Sequence, residues 1–306
     1  MMSKESSAML ESVEARMEAF VADLENREIM ELFRRLPAGK RLRAKLVLKI
    51  AGEGDEAVKL AAVIEMIHAA SLLHDDVIDD AQTRRGVASM NATEGSKQAI
   101  MMGDILYSKG FEELTGFERR IAAVVAGAVT QLSIGELMDV RLGERFNPDK
   151  EAYMKMVYQK TAALIEATAA GAAMLAGKEA EVYATYGRNL GIAFQIIDDI
   201  LDITQSAEKL GKPAMHDLEE GKTTLPYIYL YEALGEQERQ KLVSLHGKPL
   251  DEHARAWIKE KMIATGALQR AYSEAKALGE EAVALMQKAG EPALAEIVSA
   301  MIEREF

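Results

Sequence analysis

The stretch TAALIEATAAGAAMLAG, residues 161–177, is apolar around nearly its whole circumference when wound as a helix. A helix of this kind is buried at the centre of its fold, because each of its faces must pack against a neighbour. Alanine, leucine, glutamate, lysine and methionine dominate the rest of the chain, and runs of β-branched residues are scarce. The sequence therefore predicts an all-α protein built around a central helix.

Apolar residues recur at helical spacing through most of the 306 residues, with short interruptions between the repeats. The interruptions fall at residues 36–41, 51–56, 84–89, 145–150, 209–226 and 245–251. They outline helices of roughly 15 to 25 residues, which is typical of helix bundles. No low-complexity linker divides the chain, so we expect residues 1–306 to form a single-domain bundle of long antiparallel helices.

The composition excludes several classes of protein. The 37 basic and 49 acidic side chains give a net charge of −12, which argues against nucleic acid as a partner. No cysteine is present, so disulfides, thiolate catalysis and cysteine-bound metal are excluded. The first twenty residues contain no continuous apolar segment of the signal-peptide type. We expect a soluble, cytoplasmic protein.

Two stretches, LLHDDVIDD at 72–80 and FQIIDDILDI at 194–203, place two aspartates before a third that follows two apolar residues. Helical spacing brings the three carboxylates of each stretch into one cluster. The clusters are Asp75, Asp76 and Asp79, and Asp198, Asp199 and Asp202. Such carboxylates repel one another unless cations compensate them, and Mg²⁺ binds through carboxylates together with substrate phosphates. One motif alone is more typical of a solvated helix face, but two copies with apolar flanks favour metal binding.

Cationic residues stand near these clusters and at other helix boundaries. They are Lys40, Arg43, Arg84, Arg85, Lys160, Lys212 and Lys222. The pair Arg84 and Arg85 taken alone is typical of solvated surface, and each of the others is explained as a charge at a helix end. As a set in an acidic protein they predict a polyanionic ligand, since the guanidinium fork suits diphosphate oxygens.

With these residues assembled, the chain resembles the trans-prenyltransferases of the polyprenyl diphosphate synthase family, from about residue 36 to the C-terminus. The matching motifs are GKRLR (39–43), EMIHAASLLHDDVIDDAQTRRG (65–86), GD (103–104), YQKTA (158–162) and FQIIDDILDI (194–203) with the following GKP and DLEEGKTTLP. The chain departs from the family in two motifs. The usual GGKRLRP appears as AGKRLRA, and Asp139 stands where a GE..Q element has glutamine. Asp80 has no role in the family pattern, and we expect it to be structural.

The resemblance implies an isoprenoid synthase fold, in which helices surround a central tunnel, and a homodimer that binds Mg²⁺ between the aspartate clusters and an allylic diphosphate. It implies metal binding by all six aspartates, and allylic diphosphate binding by Arg84, Lys160, Lys212 and Lys222. Isopentenyl diphosphate would contact Lys40, Arg43, His68 and Arg85. Lys160, Thr161 and Gln195 would be catalytic, with Thr161 and Gln195 beside the reacting carbons. A transient membrane contact for product release is also expected.

Product length is predicted from Ala70 and Ser71, which lie about one helical turn before Asp75, where a growing tail would pass. In the resembled family bulky aromatic residues at this level shorten the product, and here both residues are small. We therefore expect a product of hexaprenyl to nonaprenyl length, octaprenyl favoured, for quinone side chains. The alternatives are a geranylgeranyl or farnesyl diphosphate synthase, a terpene cyclase, which normally replaces the second DDxxD by a mixed motif, and a non-catalytic helical metal-binding protein.

Overall fold

A computed structural model describes residues 4–205 and 214–303, and the fold is all-α, as predicted. The helices up to Gly143 are α1 (Lys4–Ala22), α2 (Arg27–Arg34), α3 (Leu42–Ala51), α4 (Asp55–Ile78), α5 (Met90–Thr93), α6 (Ser96–Leu114) and α7 (Arg119–Gly143). Those that follow up to Thr204 are α8 (Lys150–Val157), a π-helical turn (Tyr158–Ala162), α9 (Ala163–Leu175) and α10 (Ala180–Thr204). Beyond residue 213 come α11 (His216–Glu219), α12 (Leu225–Ala233), α13 (Glu236–Leu245), α14 (Glu252–Thr265), α15 (Ala267–Lys288) and α16 (Pro292–Ile302).

The chain divides into two compact units. Unit 1 comprises Met1–Val129 and Ala167–Ala184, and unit 2 comprises Thr130–Glu166 and Thr185–Phe306. In unit 1, α4 packs against α1, α3 and α6. In unit 2, α15 packs against α12 and α16. The division into compact units does not test whether the chain forms a single domain, which stays a prediction.

The apolar stretch that predicted the fold is buried as expected. From residue 162 to residue 173 every side chain except Glu166 belongs to the buried class. Glu166 is half-buried, and its carboxylate accepts a hydrogen bond from Arg188 at 2.8 Å. One charged residue in an apolar helix is thus neutralised by a partner from α10.

The predicted helix lengths are correct for the longest helices and wrong for several others. The helices α4, α7 and α10 contain 24, 25 and 25 residues. The second half of the chain is cut into shorter pieces because it carries more helix-end signals than the breaks predicted from the sequence. Asp251 caps α14 by accepting from Ala254 N at 2.7 Å, and Gly266 ends it with a φ of 69°.

A short hairpin follows α4 where only a helix break was predicted. Strand β1 (Thr83–Arg84) pairs antiparallel with β2 (Val87–Ala88) in the register Thr83 to Ala88 and Arg84 to Val87. The two connecting residues, Arg85 and Gly86, both have positive φ, of 53° and 79°. That geometry is a two-residue turn of the kind that matches the twist of a hairpin. It brings both arginines of the motif back towards the end of α4.

Candidate functional site

The first aspartate cluster lies where α4 ends, in unit 1. Asp75 and Asp76 belong to the last helical turn, and Asp79 is the C-cap residue. Asp80 follows with a φ of 48°, a left-handed conformation that stops the helix. Its side chain and carbonyl both accept from Gln82 Nε2, which agrees with the structural role expected for Asp80.

The three carboxylates of this cluster differ in environment. Asp76 is buried and accepts a hydrogen bond from Arg84 Nε at 2.5 Å, whereas Asp75 is half-buried and Asp79 is exposed. Burial raises the pKa of Asp76, and the charge of Arg84 opposes that shift. The hairpin therefore holds Asp76 through a protein cation, while Asp75 and Asp79 lie on the more open side of the helix end.

Several arginines surround His68, which lies about two helical turns before Asp75. Burial lowers the pKa of His68 well below its usual value, and the charges of Arg43 and Arg85 lower it further. Arg43 Nε is buried and has no hydrogen-bond partner in the described part of the chain. Arg85 donates to the carbonyl of Pro37 at 3.3 Å, and Lys40 is exposed. A neutral imidazole beside an unsatisfied guanidinium is an environment that an anion would complete.

The start of α3 is fixed by a buried acid that the sequence analysis did not identify. Glu65 of α4 accepts from Ala44 N at 2.9 Å and from Arg41 at 3.2 Å. Arg41 also binds Glu14 of α1, with its Nε 2.5 Å from the carboxylate. Arg41 is thus held by two acids, whereas Lys40 and Arg43 are the cations of the GKRLR motif that were predicted to bind isopentenyl diphosphate.

The GD motif of α6 packs against the residue before the first aspartate. A Cβ at Gly103 would lie 2.6 Å from His74 Cδ2, so only glycine leaves room for that imidazole. His74 Nε2 lies 3.1 Å from the carbonyl of Ile100 and 3.3 Å from the carboxylate of Asp104. The motif thus anchors the end of α4 that carries Asp75 and Asp76.

Unit 2 contains a cavity of about 180 Å³ that brings together five of the predicted site residues. They are Lys160, Thr161, Gln195, Asp199 and Lys222. Among the other lining residues are Asp139, Tyr153, Asp217 and Thr224. The YQKTA motif, the second aspartate motif and residues 222–224 therefore meet at one cavity.

The YQKTA motif is the π-helical turn between α8 and α9. A π-turn inserts an extra residue into a helix and is frequent at functional sites. Two glycines let neighbouring helices approach it. A Cβ at Gly135 of α7 would lie 2.7 Å from the carbonyl carbon of Gln159, and a Cβ at Gly191 of α10 would lie 2.6 Å from Ala162 Cα. Both contacts are too close for any other residue, so these glycines allow α7 and α10 to approach the π-helical turn that carries Lys160 and Thr161.

Lys160 is held by two acids of α7. Its Nζ lies 2.6 Å from Asp139 and 2.8 Å from Glu136. All three side chains are largely buried, which strengthens the ion pairs relative to surface ones. Asp139, the residue that departs from the family pattern, is therefore a direct partner of a predicted catalytic lysine.

Thr161, Gln195 and Asp199 form a chain of hydrogen bonds that ends on a buried tyrosine. Thr161 Oγ1 donates to Gln195 Oε1 at 3.0 Å, and Gln195 Nε2 donates to Asp199 Oδ1 at 2.8 Å. The hydroxyl of Tyr153 donates to the other oxygen of Asp199 at 2.5 Å. Burial raises the pKa of Asp199 well above its usual value, and the nearby Asp217 raises it further.

The remaining aspartates of the second motif also differ from one another. Asp202 is buried and accepts from the backbone N–H of Asp217 at 3.1 Å, while its own carbonyl accepts from Met215 at 2.7 Å. Asp202 thereby fixes the segment that leads to Lys222, whose Nζ lies 3.0 Å from Glu220. Asp198 is half-buried. Lys212 lies outside the described residues.

The two residues predicted to set product length are both buried. Ala70 has no exposed surface, and Ser71 is 4% exposed with its hydroxyl donating to the carbonyl of His68 at 2.8 Å. Both side chains at this level of α4 are therefore small and covered by neighbouring parts of the protein.

Two residues near Lys160 and Asp199 were not identified from the sequence. Tyr153 lies seven residues before Lys160, and Glu136 lies three before Asp139. At these spacings each shares a helix face with a residue that the sequence analysis had identified. That spacing was the available signal. It did not distinguish them from ordinary core and surface positions.

Comparison with known proteins decides the family. A family model described as polyprenyl synthetase matches residues 26–262. The chain belongs to the polyprenyl synthetase family. It is 38% identical over 283 residues to a short chain isoprenyl diphosphate synthase of Methanothermobacter thermautotrophicus, with 87% of each chain covered. It is 36% identical over 257 residues to the octaprenyl diphosphate synthase of Escherichia coli, with 81% of this chain and 80% of the relative covered.

The structure is similar to the crystal structure of octaprenyl pyrophosphate synthase from Helicobacter pylori. The TM-score is 0.94 at 39% identity, and the match covers 97% of this chain and 99% of the other. These findings confirm the predicted isoprenoid synthase fold and the predicted enzyme class, a trans-prenyltransferase that makes polyprenyl diphosphates. They leave the length of the product open, because relatives of both short-chain and long-chain type match this chain.

Proposed function

We propose that this family member extends farnesyl or geranylgeranyl diphosphate with isopentenyl diphosphate to a long-chain all-trans product, octaprenyl favoured within the hexaprenyl to nonaprenyl range. The observation that carries the chain length is the pair of small residues, Ala70 and Ser71, one turn before Asp75. The octaprenyl synthases among the relatives support it. The short-chain relative supports the alternative, a geranylgeranyl or farnesyl diphosphate synthase.

The donor set fits Mg²⁺ that is bound together with a diphosphate. Among residues 4–205 and 214–303 no three carboxylate or imidazole groups converge on one point, so substrate oxygens and water would complete the coordination. Asp75, Asp79 and Asp198 are the aspartates of the two motifs that are not buried. Asp76, Asp199 and Asp202 are buried and accept hydrogen bonds from protein donors. We propose that Asp75 and Asp79 in unit 1, and Asp198 in unit 2, coordinate the metal directly because they are the more exposed, while the second three keep their protein donors.

In the proposed reaction the chain's own residues bind, orient and shield the substrates. Lys160, Lys222 and Arg84, with Lys212, bind the allylic diphosphate. Lys40, Arg43, His68 and Arg85 bind isopentenyl diphosphate, and the unsatisfied Arg43 Nε and the neutral His68 support this assignment. When bound, Mg²⁺ would stabilise negative charge on the departing diphosphate.

Thr161 and Gln195 stabilise the allylic cation that remains when the bond between C1 and the diphosphate oxygen breaks. The double bond of isopentenyl diphosphate then forms the new carbon–carbon bond, and the departed diphosphate accepts the proton that is lost. Both dipoles lie in the wall of the cavity of unit 2. A site closed to water strengthens them, because the local dielectric is low.

We also propose that the protein acts as a homodimer. One side of α7 exposes an apolar stripe at Ala123, Gly127, Ile134, Leu137 and Val140, in steps of four, seven, three and three residues, with the exposed polar residue Thr130 between Gly127 and Ile134. Ile134 and Leu137 are 45% and 52% exposed. Exposed apolar stripes of this kind are typical of helix interfaces between protein chains. A cytoplasmic location and a transient membrane contact for product release complete the proposal.

The direct test is to incubate the purified protein with Mg²⁺, farnesyl diphosphate and labelled isopentenyl diphosphate, and to size the products. A linear product of hexaprenyl to nonaprenyl length is expected. A cyclic hydrocarbon would identify a terpene cyclase and overturn the reaction, whereas linear products of farnesyl or geranylgeranyl length would overturn only the chain length. Chelation of the metal should abolish turnover.

A further inference from the structure

Tyr153 is a buried residue that the proposed mechanism does not use, although it lines the cavity with Thr161 and Gln195. It is 3% exposed, and its hydroxyl donates to Asp199 Oδ2 at 2.5 Å. The backbone of Leu225, the first residue of α12, hydrogen-bonds to the same hydroxyl. Tyr153 therefore connects three elements around the cavity, namely α8, α10 and the start of α12.

The directions of the hydrogen bonds determine which atoms of Gln195 and Thr161 can interact with a bound substrate. Gln195 Nε2 donates to Asp199, so the amide is held with Oε1 on the opposite side, where it accepts from Thr161. The hydroxyl of Thr161 donates its one proton to Gln195. Its oxygen is left with lone pairs alone to offer to the cavity. A flipped amide would reverse this order and present donors instead.

The reaction requires acceptors at this place, since positive charge develops on the allylic carbon. Acceptor oxygens stabilise such a charge, and N–H or O–H groups directed at it oppose it. We propose that Tyr153 is a positioning residue that, through Asp199, fixes the orientation of the Gln195 amide and so presents acceptor oxygens to the allylic cation. The proposal rests on the assignment of Thr161 and Gln195 beside the reacting carbons.

This arrangement also gives Asp199 a role other than metal coordination. Both of its oxygens accept hydrogen bonds from protein donors inside unit 2, one from Tyr153 and one from Gln195. It is 3% exposed, which leaves little surface for a ligand. Its neighbour Asp198 is half-buried. The second aspartate motif would thus contain a residue that orients the cation-stabilising groups, Asp199, beside one that would bind the metal, Asp198.

The experiment compares Tyr153→Phe with a matched control. Tyr186 of α10 is also fully buried, and its hydroxyl donates one hydrogen bond, to the carbonyl of Leu294 at 3.0 Å. Tyr186→Phe therefore removes an equivalent group away from the cavity. Single-turnover rates of the first condensation, measured by rapid quench at saturating Mg²⁺, report the chemical step without product release. KM for both substrates is measured in parallel.

Tyr153→Phe should lower the single-turnover rate by about tenfold or more, while KM for each substrate changes by less than about threefold, because orientation acts on the transition state. Tyr186→Phe should leave both quantities within about twofold of the unmodified enzyme. Equal rates for the two variants would overturn the proposal.

A double-mutant cycle tests the positioning role of Tyr153 separately from the catalytic assignment of Gln195 on which it rests. In a Gln195→Ala background, Tyr153→Phe should add less than about a twofold loss, since Tyr153 acts through Gln195. If Tyr153→Phe lowers the rate by the same factor with and without Gln195→Ala, the positioning role of Tyr153 is overturned. A normal rate for Gln195→Ala alone would instead overturn the catalytic assignment of Gln195.

Asp199→Asn provides a second route if Tyr153→Phe does not fold. Asparagine offers one acceptor oxygen where aspartate offers two, so it cannot accept from Tyr153 and Gln195 as Asp199 does. It should lower the single-turnover rate without raising the Mg²⁺ concentration that gives half-maximal rate. Asp198→Asn should raise that concentration. A raised Mg²⁺ requirement in Asp199→Asn would show a metal ligand and overturn the proposal.

Discussion

Replacing Asp139 by asparagine tests how the departure from the family pattern affects substrate binding. Asp139 Oδ2 lies 2.6 Å from Lys160 Nζ, with the side chains 12% and 20% exposed. If Lys160 binds the allylic diphosphate, as proposed, this carboxylate and the incoming diphosphate compete for the same ammonium group. An asparagine at this position keeps the shape of the side chain and removes its charge, so the competition falls while Lys160 stays in place beside Glu136.

The expected size of the effect comes from the geometry of that contact. A hydrogen bond to a charged group is worth about 1.5–3 kcal/mol. Lys160 retains Glu136 at 2.8 Å, which replaces part of the lost interaction, so we expect roughly 1.4 kcal/mol, or about tenfold, in affinity. The dissociation constant of a non-ionising thiolodiphosphate analogue of the allylic substrate, measured by calorimetry with Mg²⁺, should fall by that factor for Asp139→Asn.

The control is Glu238→Gln, which removes the same charge from a pair with Lys261 that is not among the cavity residues. That variant should bind the analogue as tightly as the unmodified protein. If Asp139→Asn binds the analogue with unchanged or weaker affinity, then Asp139 does not compete with the diphosphate. Its role would be to orient Lys160, and the reasoning from competition would be refuted.

Three further predictions concern product length, pH and assembly. Ser71→Phe should shorten the product, measured by sizing labelled polyprenols, because a ring would occupy the level one turn below Asp75; Ala70→Phe should do the same and also cost about 1–3 kcal/mol of stability. The pKa of His68 is lowered in the folded protein, so the free energy of unfolding decreases as pH falls below about 6.5. His68→Gln should reduce the slope of that decrease, measured by melting at a series of pH values, by up to about 1.4 kcal/mol per pH unit. Leu137→Asp should produce monomers in light scattering.

Each of these predictions has an outcome that contradicts it. Products of unchanged length from folded Ser71→Phe and Ala70→Phe would show that the tail takes another path. The same pH dependence of melting in His68→Gln would mean that His68 does not titrate on unfolding. For assembly the matched control is Ile263→Asp, at a position 78% exposed on α14, which should not change the mass. A dimeric Leu137→Asp would exclude the α7 stripe as the interface.

The central apolar helix and the paired aspartate motifs could be predicted because their signals are local. The stretch 161–177 has no polar face, so burial was its only solution. Helical spacing alone places Asp75 beside Asp79. The hairpin at 83–88 was missed, because its turn contains Arg85 at a positive φ, a conformation that the sequence does not indicate for an arginine.

The differences among the aspartates could not be predicted, since they depend on partners distant in the chain. Asp199 and Tyr153 are separated by 46 residues, and Asp202 and Asp217 by 15. No spacing rule identifies such pairs, and only packing shows which carboxylate oxygens already accept a protein donor. The same holds for Asp139, whose departure from the family pattern is visible in the sequence while its ion pair with Lys160 is not.

The sequence by itself determined the all-α fold, the two aspartate motifs and the family, because helix periodicity and short motifs are properties of neighbouring residues. Only the tertiary structure decided which of the predicted site residues form hydrogen bonds and ion pairs with distant parts of the chain. The physical reason is that the state of a buried polar group depends on every donor and acceptor packed around it. Those partners come from other helices, at distances along the chain that folding sets.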